Sequence, residues 1–375
     1  ALILEYAVAA GAVAVGWSGY INGLLHEMNM GLPAALMAGP ADTITLADGS
    51  TAHGTFNLLA FAISILITWL LVLGTSKSAK FTSILVVVKV LALSVFIVLA
   101  WPHIQHSNFE PMLPNGWGTP LSGVGVLGAA ASIFFAYVGF DAVSTAAEET
   151  ENPNRNIPIG LIGSLAVCTV FYLLVSYAAI GSMGAQPGGA LSQSKEPLAF
   201  VLKEIGYPSV GNAIGIAAVL ALPSVVLMMI FGQTRILFTM ARDGLMPKSF
   251  ANVHEKYHTP HVVTIVTGVA VSIFAAIFPV GALADISNSG TLFAFFVVAL
   301  GVMVLRKQQP NRHRPFRTPF LWIVGPLAMA GCALLFVSLG WLTIKLFLGW
   351  FVIGMAVYFL YSRKRSHLAN GTEHT

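Results

Sequence analysis

Long apolar runs alternate along this chain with short polar connections. An α-helix rises 1.5 Å per residue, so about 20 apolar residues cross the ~30 Å hydrocarbon layer of a bilayer. Ten runs reach that length: 2–25, 55–74, 81–101, 122–147, 157–181, 209–240, 262–280, 288–305, 319–340 and 342–361. Turn formers stand at most junctions, among them Pro102, Pro153, Pro158, Pro247, Pro260, Pro310 and Pro319, where a missing N–H and a fixed φ end a helix. The last two runs are almost contiguous, which predicts a tight helical hairpin. No soluble domain interrupts the series. The pattern predicts an all-α integral membrane protein, a single transmembrane domain over 1–375.

Composition agrees and removes several functions. Of 375 residues, 56% are hydrophobic and only 9% charged, with a mean hydropathy of +0.80, whereas about a quarter of a soluble domain is charged. The net charge of +4 includes no clustered basic face, so nucleic acid is not an expected partner. Cys168 and Cys332 lie far apart inside apolar runs and read as small buried side chains, not as a disulfide or metal ligands. His103 and His106 have metal-like spacing, but only Glu110 is near, and an exposed loop is the simpler reading. No metal or cofactor is expected. No G-x-x-x-x-G-K-[ST] motif is present, so ATP is not the energy source. A channel would need a pore-filter motif, and none is found; an enzyme would need a convergent polar constellation at one depth.

Lysine and arginine set the orientation. With residue 1 taken as cytoplasmic, fifteen of them fall in inside segments, three in outside segments, and Lys89 falls inside a span. The positive-inside rule then puts both ends in the cytoplasm of a multi-pass cell-membrane protein. The N-G-T sequon at Asn370 is on that side, so glycosylation is not expected. The chain begins with Ala1 and is in a span by Leu2, with no signal peptide; this predicts that natural sequence precedes it.

Span 122–147 contains FFAYVGFDAVSTAAEETENPNRNIP from Phe134 onward. A lipid-facing helix would not carry Gly139 and Asp141 at mid-depth, because a charge there costs at least about 2.5 kcal/mol. One reading is that the helix unwinds around Tyr137–Asp141, which is tolerated only where backbone lines a cavity or is buried in protein. Unwinding would free the carbonyls of Phe135, Ala136 and Val138 for a cation such as a substrate ammonium, with Asp141 adding negative charge. The other reading is a small-residue packing helix whose aspartate pairs with a neighbour.

These residues resemble the cationic amino acid transporters of the amino acid–polyamine–organocation superfamily. FFAYVGFDAVSTAAEETENPNRNIPIG is similar to the family's sixth membrane helix and the loop after it. GQTRILFTMARDGLMP (232–247) resembles the cytoplasmic end of the eighth, LEYAVAAGAVAVGWSGY (4–20) the third, and run 81–101 the fifth. The resemblance implies an inverted-repeat transporter fold. Residues 1–101 would be the end of the first repeat, 122–305 the second, and 319–361 two extra helices. Ten of twelve helices would be visible, and two before Ala1 would supply the partner half of the substrate site. The implied activity is secondary transport of cationic amino acids with protons, by alternating access. A polyamine or neutral amino acid carrier of the same superfamily is the alternative. The implied partners are an amino acid, a proton and the lipid bilayer; a small membrane-protein partner stays open.

Lys89 lies eight residues past Phe81, about 12 Å into the core, too deep for an easy snorkel. It must pair, meet water or lose its proton. The resemblance implies a lysine that replaces a sodium ion and responds to protons; a structural ion pair is the other reading. Glu5 is the acid of the first span and either snorkels at the interface or partners Lys89 in the proton path. Arg235 and Arg242, seven apart on one face, read as interfacial anchors or as gate partners, with Asp243, of Glu148, Glu149 or Glu151.

Overall fold

The computed structural model describes residues 2–45, 51–74, 79–141, 150–314 and 316–366. Eleven helices carry the argument: α1 Leu2–Glu27, α2 Leu58–Val72, α3 Ala79–Ala100, α4 Gly125–Ile133, α5 Pro153–Met183, α6 Pro197–Glu204, α7 Pro208–Arg242, α8 His261–Ile277, α9 Val280–Gln308, α10 Leu321–Ser338 and α11 Trp341–Val357. Each of the ten apolar runs holds one of them, and α6 lies in the connection before α7. Among the described residues seven helices are long and apolar enough to cross a membrane, while α2, α4 with its extension to Tyr137, and α8 are apolar but shorter.

The ends differ from the sequence reading for local reasons. Helix α2 starts late because the Asn57 side chain caps it, accepting from Ala60 N at 3.1 Å. Pro158, expected to mark a turn, lies inside α5, where its missing N–H removes one helical bond, that to the Asn154 carbonyl. Helix α9 begins at Val280, eight residues before the expected 288. Residues Asp285–Asn288 are thus helical, and the Ser287 hydroxyl and the Asn288 amide nitrogen donate inside the protein. A small antiparallel pair of strands, β1 Thr43–Thr45 and β2 Thr51–His53, lies in the connection between α1 and α2 and was not expected.

The chain divides into two compact units. The first comprises Ala1–Tyr6, Asn115–Val170 and Ala284–Tyr358. In it α10 packs on α4 around Ala131, Leu292 and Leu339, with Phe134, Leu335 and Phe336 against them. Only Leu339 and Gly340 separate α10 from α11, the tight hairpin that the pattern predicts.

The second unit comprises Ala7–Pro114, Phe171–Leu283 and Phe359–Thr375. Its helix pair α2–α8 is closely packed. A Cβ on Gly268 would collide with the Thr68 side chain, so a glycine is needed for these backbones to approach. Ser64, Thr68 and Ser272 donate their hydroxyl protons to carbonyls of their own helices, at 2.7–2.8 Å. A further cluster joins α3, α5, α6 and α7 through Phe96, Ala178, Leu202 and Ile214.

In the same unit Lys203 on α6 lies 2.8 Å from Glu27 and 2.9 Å from Glu196. Burial opposes its charge, but the hydrogen bonds and negative charges of the two glutamates outweigh that, and the amine is held above the usual lysine value of 10.5.

Candidate functional site

Helix α4 stops as an α-helix at Ile133, and Phe134–Tyr137 continue as one 3₁₀ turn. Gly139 has φ +110, a conformation open to glycine and strained for other residues. The irregular backbone therefore begins just before the expected Tyr137–Asp141 stretch. Residues 142–149, including Glu148 and Glu149, lie outside the described residues.

One of the three expected carbonyl ligands already has a backbone donor. The Phe135 carbonyl accepts from Val138 N–H at 3.1 Å, so only its second lone pair is left for a ligand. Ala136 already takes part in an interaction of its own. Val138 follows the 3₁₀ turn with ψ 130, which is extended backbone. The Tyr137 and Thr169 hydroxyls share a 3.0 Å hydrogen bond, and Phe140 packs on Phe295, rings 5.3 Å apart.

Asp141 is held from the first turns of α1: the Tyr6 hydroxyl donates to its Oδ2 at 2.8 Å. Tyr6 is fully buried, as is its neighbour Glu5, which is 0% exposed. Burial removes the interfacial snorkel from the readings of Glu5. Neither of its carboxylate oxygens has a hydrogen-bond partner at normal geometry, with the Thr291 hydroxyl the polar group that acts on it. Its backbone carbonyl accepts from Ser287 Oγ at 3.1 Å. The first unit thus brings Glu5, Tyr6 and Asp141 together beside the polar stretch of α9.

That stretch was missed as a contributor. Asn288 is 0% exposed, and its amide nitrogen donates to the carbonyls of Ala131 at 2.9 Å and Ser132 at 2.8 Å. Asp285 lies three residues earlier on the same helical face, where the Ser132 hydroxyl interacts with its carboxylate. The readable signal was a polar run, Asp285–Thr291, beside an apolar one. Tyr6 had no such signal, because its partner is 135 positions away.

Lys89 lies in the second unit. Its Nζ is 3.2 Å from Ser224 Oγ, and no described carboxylate of that unit forms an ion pair with it. The sequence explains the spot. Pro223 lies inside α7 and has no N–H, so the carbonyl of Val219 four residues back loses its helical donor. Trp17 Nε1–H fills that place at 2.9 Å. Lys89 reaches the residue next to this proline.

The Arg235 guanidinium stacks over the Phe231 ring at 4.2 Å. Both line a cavity of about 470 Å³ with Leu71, Phe238, Tyr257 and Pro260. It holds none of the intramembrane acids or the amine singled out above, and Arg235 is already engaged. The break in α4 has the convergent chemistry. Among the described residues no group of three His, Cys, Asp or Glu could hold a metal ion.

Residues 3–362 match the family described as "Amino acid permease". The branched-chain amino acid permease BcaP of Bacillus subtilis (strain 168) is 43% identical, covering 98% of this chain and 76% of its own length. The methylthioribose transporter of the same organism is 40% identical with the same coverage. Cationic amino acid transporter 1 of Arabidopsis thaliana is 32% identical over 81% of this chain and 48% of its own.

Proposed function

The chain belongs to the amino acid permease family, and from that premise we propose that it carries amino acids with apolar side chains, coupled to protons, by alternating access around the break in α4. The observation that supports this reading most is the break itself: a membrane helix that stops at Ile133 and turns through Gly139 to a buried-facing acid at Asp141. Such irregular backbone at mid-span serves a ligand in transporters of this kind.

The ammonium group common to all amino acids would meet the carbonyls of Phe135, Ala136 and Val138. Asp141, aimed by Tyr6, supplies the countercharge. A preference for apolar side chains is supported by the 43% identity to a branched-chain amino acid permease. A second reading, cationic amino acids, is supported by the more distant plant relative and by the motif 134–160.

In this proposal residues 1–101 are the end of one inverted repeat, 122–305 the other, and 319–361 two added helices. Lys89 stands where a sodium ion would tie the helices, and Glu5 is a proton site: a buried carboxylate changes its local charge whenever a proton binds or leaves. The protein would lie in the cell membrane with both chain ends cytoplasmic.

The test is competition for uptake in proteoliposomes containing the full-length protein. Leucine, isoleucine and valine should inhibit uptake of labelled leucine at concentrations at least about tenfold below those of arginine and lysine, a 1.4 kcal/mol preference. The reverse order would establish the cationic reading. Asp141→Asn should weaken every substrate while the amount of protein in the membrane stays unchanged. Unaltered uptake would remove Asp141 from the site.

A further inference from the structure

Four carbonyls at the end of any helix lack an intrahelical donor. Where α4 ends, those carbonyls are the same kind of group that the substrate ammonium is proposed to use. Two of them, on Ala131 and Ser132, already accept from the Asn288 amide at 2.8–2.9 Å, which makes each a poorer acceptor for the ammonium.

We infer that Asn288 on α9 is the positioning residue of the substrate site. By donating to the Ala131 and Ser132 carbonyls, it turns them from the ammonium and shifts the accepting surface to the 3₁₀ turn Phe134–Tyr137. The inference rests on the reading of the break as the substrate site.

Three observations carry it. First, Asn288 itself is 0% exposed and its bond to the Ala131 carbonyl is buried, while its bond to the Ser132 carbonyl is partly buried, so water competes little for the Ala131 carbonyl. Second, the grip is two-pronged: Asp285, on the same face, meets the Ser132 side chain whose backbone Asn288 holds. Third, α9 is fastened at the neighbouring position as well, since Ser287 Oγ donates to the Glu5 carbonyl. One stretch of α9 thus fixes both the end of α4 and the turn that bears Glu5 and Tyr6. A side chain with two amide donors suits this place, because one nitrogen can satisfy two adjacent carbonyls. An aspartate of the same shape would set an oxygen against them.

The experiment compares Asn288→Ala with wild type in full-length protein in proteoliposomes. It measures KM and kcat for leucine and inhibition by leucine and by its 2-hydroxy acid, which lacks the ammonium group. Removing Asn288 exposes two competing carbonyls and frees the 3₁₀ turn. The expected result is a KM raised about tenfold with kcat nearly unchanged, and a leucine advantage over the hydroxy acid changed at least about threefold. A purely structural role would weaken both inhibitors alike, and an unchanged ratio would overturn the inference. Asn288→Ser retains one donor and should fall between the two; if neither variant accumulates in the membrane, Asn288 is a folding residue and the inference is lost. Asp141→Asn separates the two readings. If it leaves KM alone, the substrate site is elsewhere; if it raises KM while Asn288→Ala does not, only the role of Asn288 fails.

Discussion

Lys203 shows how much a single charge can depend on its neighbours. Its side chain is 20% exposed and bonded to two carboxylates. Removing it leaves Glu27 and Glu196 facing each other without a cation, which costs more than losing an exposed pair, worth about 0–1 kcal/mol. Because the folded amine is held above 10.5, its contribution is complete below that pH and is lost as pH rises through the folded value. Lys203→Met is therefore expected to lower the unfolding midpoint of the detergent-solubilised protein at pH 8. The gap to wild type should narrow as pH rises past 10.5 and through the folded value. A gap independent of pH would mean that packing of the side chain, and not its charge, is what matters. Lys89 is the contrasting case. Its position in the span was plain from the sequence, yet its partner in the second unit is a serine hydroxyl and not a carboxylate, and Ser224 is one of many hydroxyls in the chain.

At the scale of elements, two helices illustrate opposite kinds of legibility. Helix α7 carries Pro223, visible in the sequence as a break in the hydrogen-bond ladder, but the donor that repairs it is Trp17 from α1, which only folding brings there. The pair α2–α8 depends on Gly268 meeting Thr68. A larger residue must push the backbones apart, and overpacking of this kind costs about 1–3 kcal/mol. Gly268→Leu is expected to lower the unfolding midpoint by about 5 °C, whereas Gly281→Ala, with open space around it, should shift it little. Equal midpoints for Gly268→Leu and wild type would show that the pair relaxes freely. Residues 281–287 fall between the apolar runs 262–280 and 288–305, because polar residues usually mark the end of a span. Here Asp285, Ser287 and Asn288 are helical, because each finds a partner inside the first unit.

For the whole molecule the proposal predicts a coupling. A proton can drive rearrangement only through its different affinity for two states. Lys89→Ala is expected to abolish stimulation of uptake by an inward proton gradient in proteoliposomes, while exchange of internal for external amino acid survives. Stimulation by sodium in the wild type would refute proton coupling, and wild-type behaviour of Lys89→Ala would make the lysine structural. The match to amino acid permeases over residues 3–362 secures the class of activity.

The order of apolar runs and connections was set by the sequence alone, since each span must satisfy its own backbone in lipid and must reach a fixed length. The interruption at Gly139 and Asp141 was legible for the same reason: a glycine with φ +110 and an acid are costly in a continuous span. The contacts that make these residues into a site were decided by tertiary structure. Tyr6 on Asp141, Asn288 on the end of α4, and Trp17 on Val219 join positions 135, 157 and 202 residues apart. Periodicity and spacing act over a turn or two of helix, whereas a hydrogen bond in a membrane protein is fixed by which helices pack together.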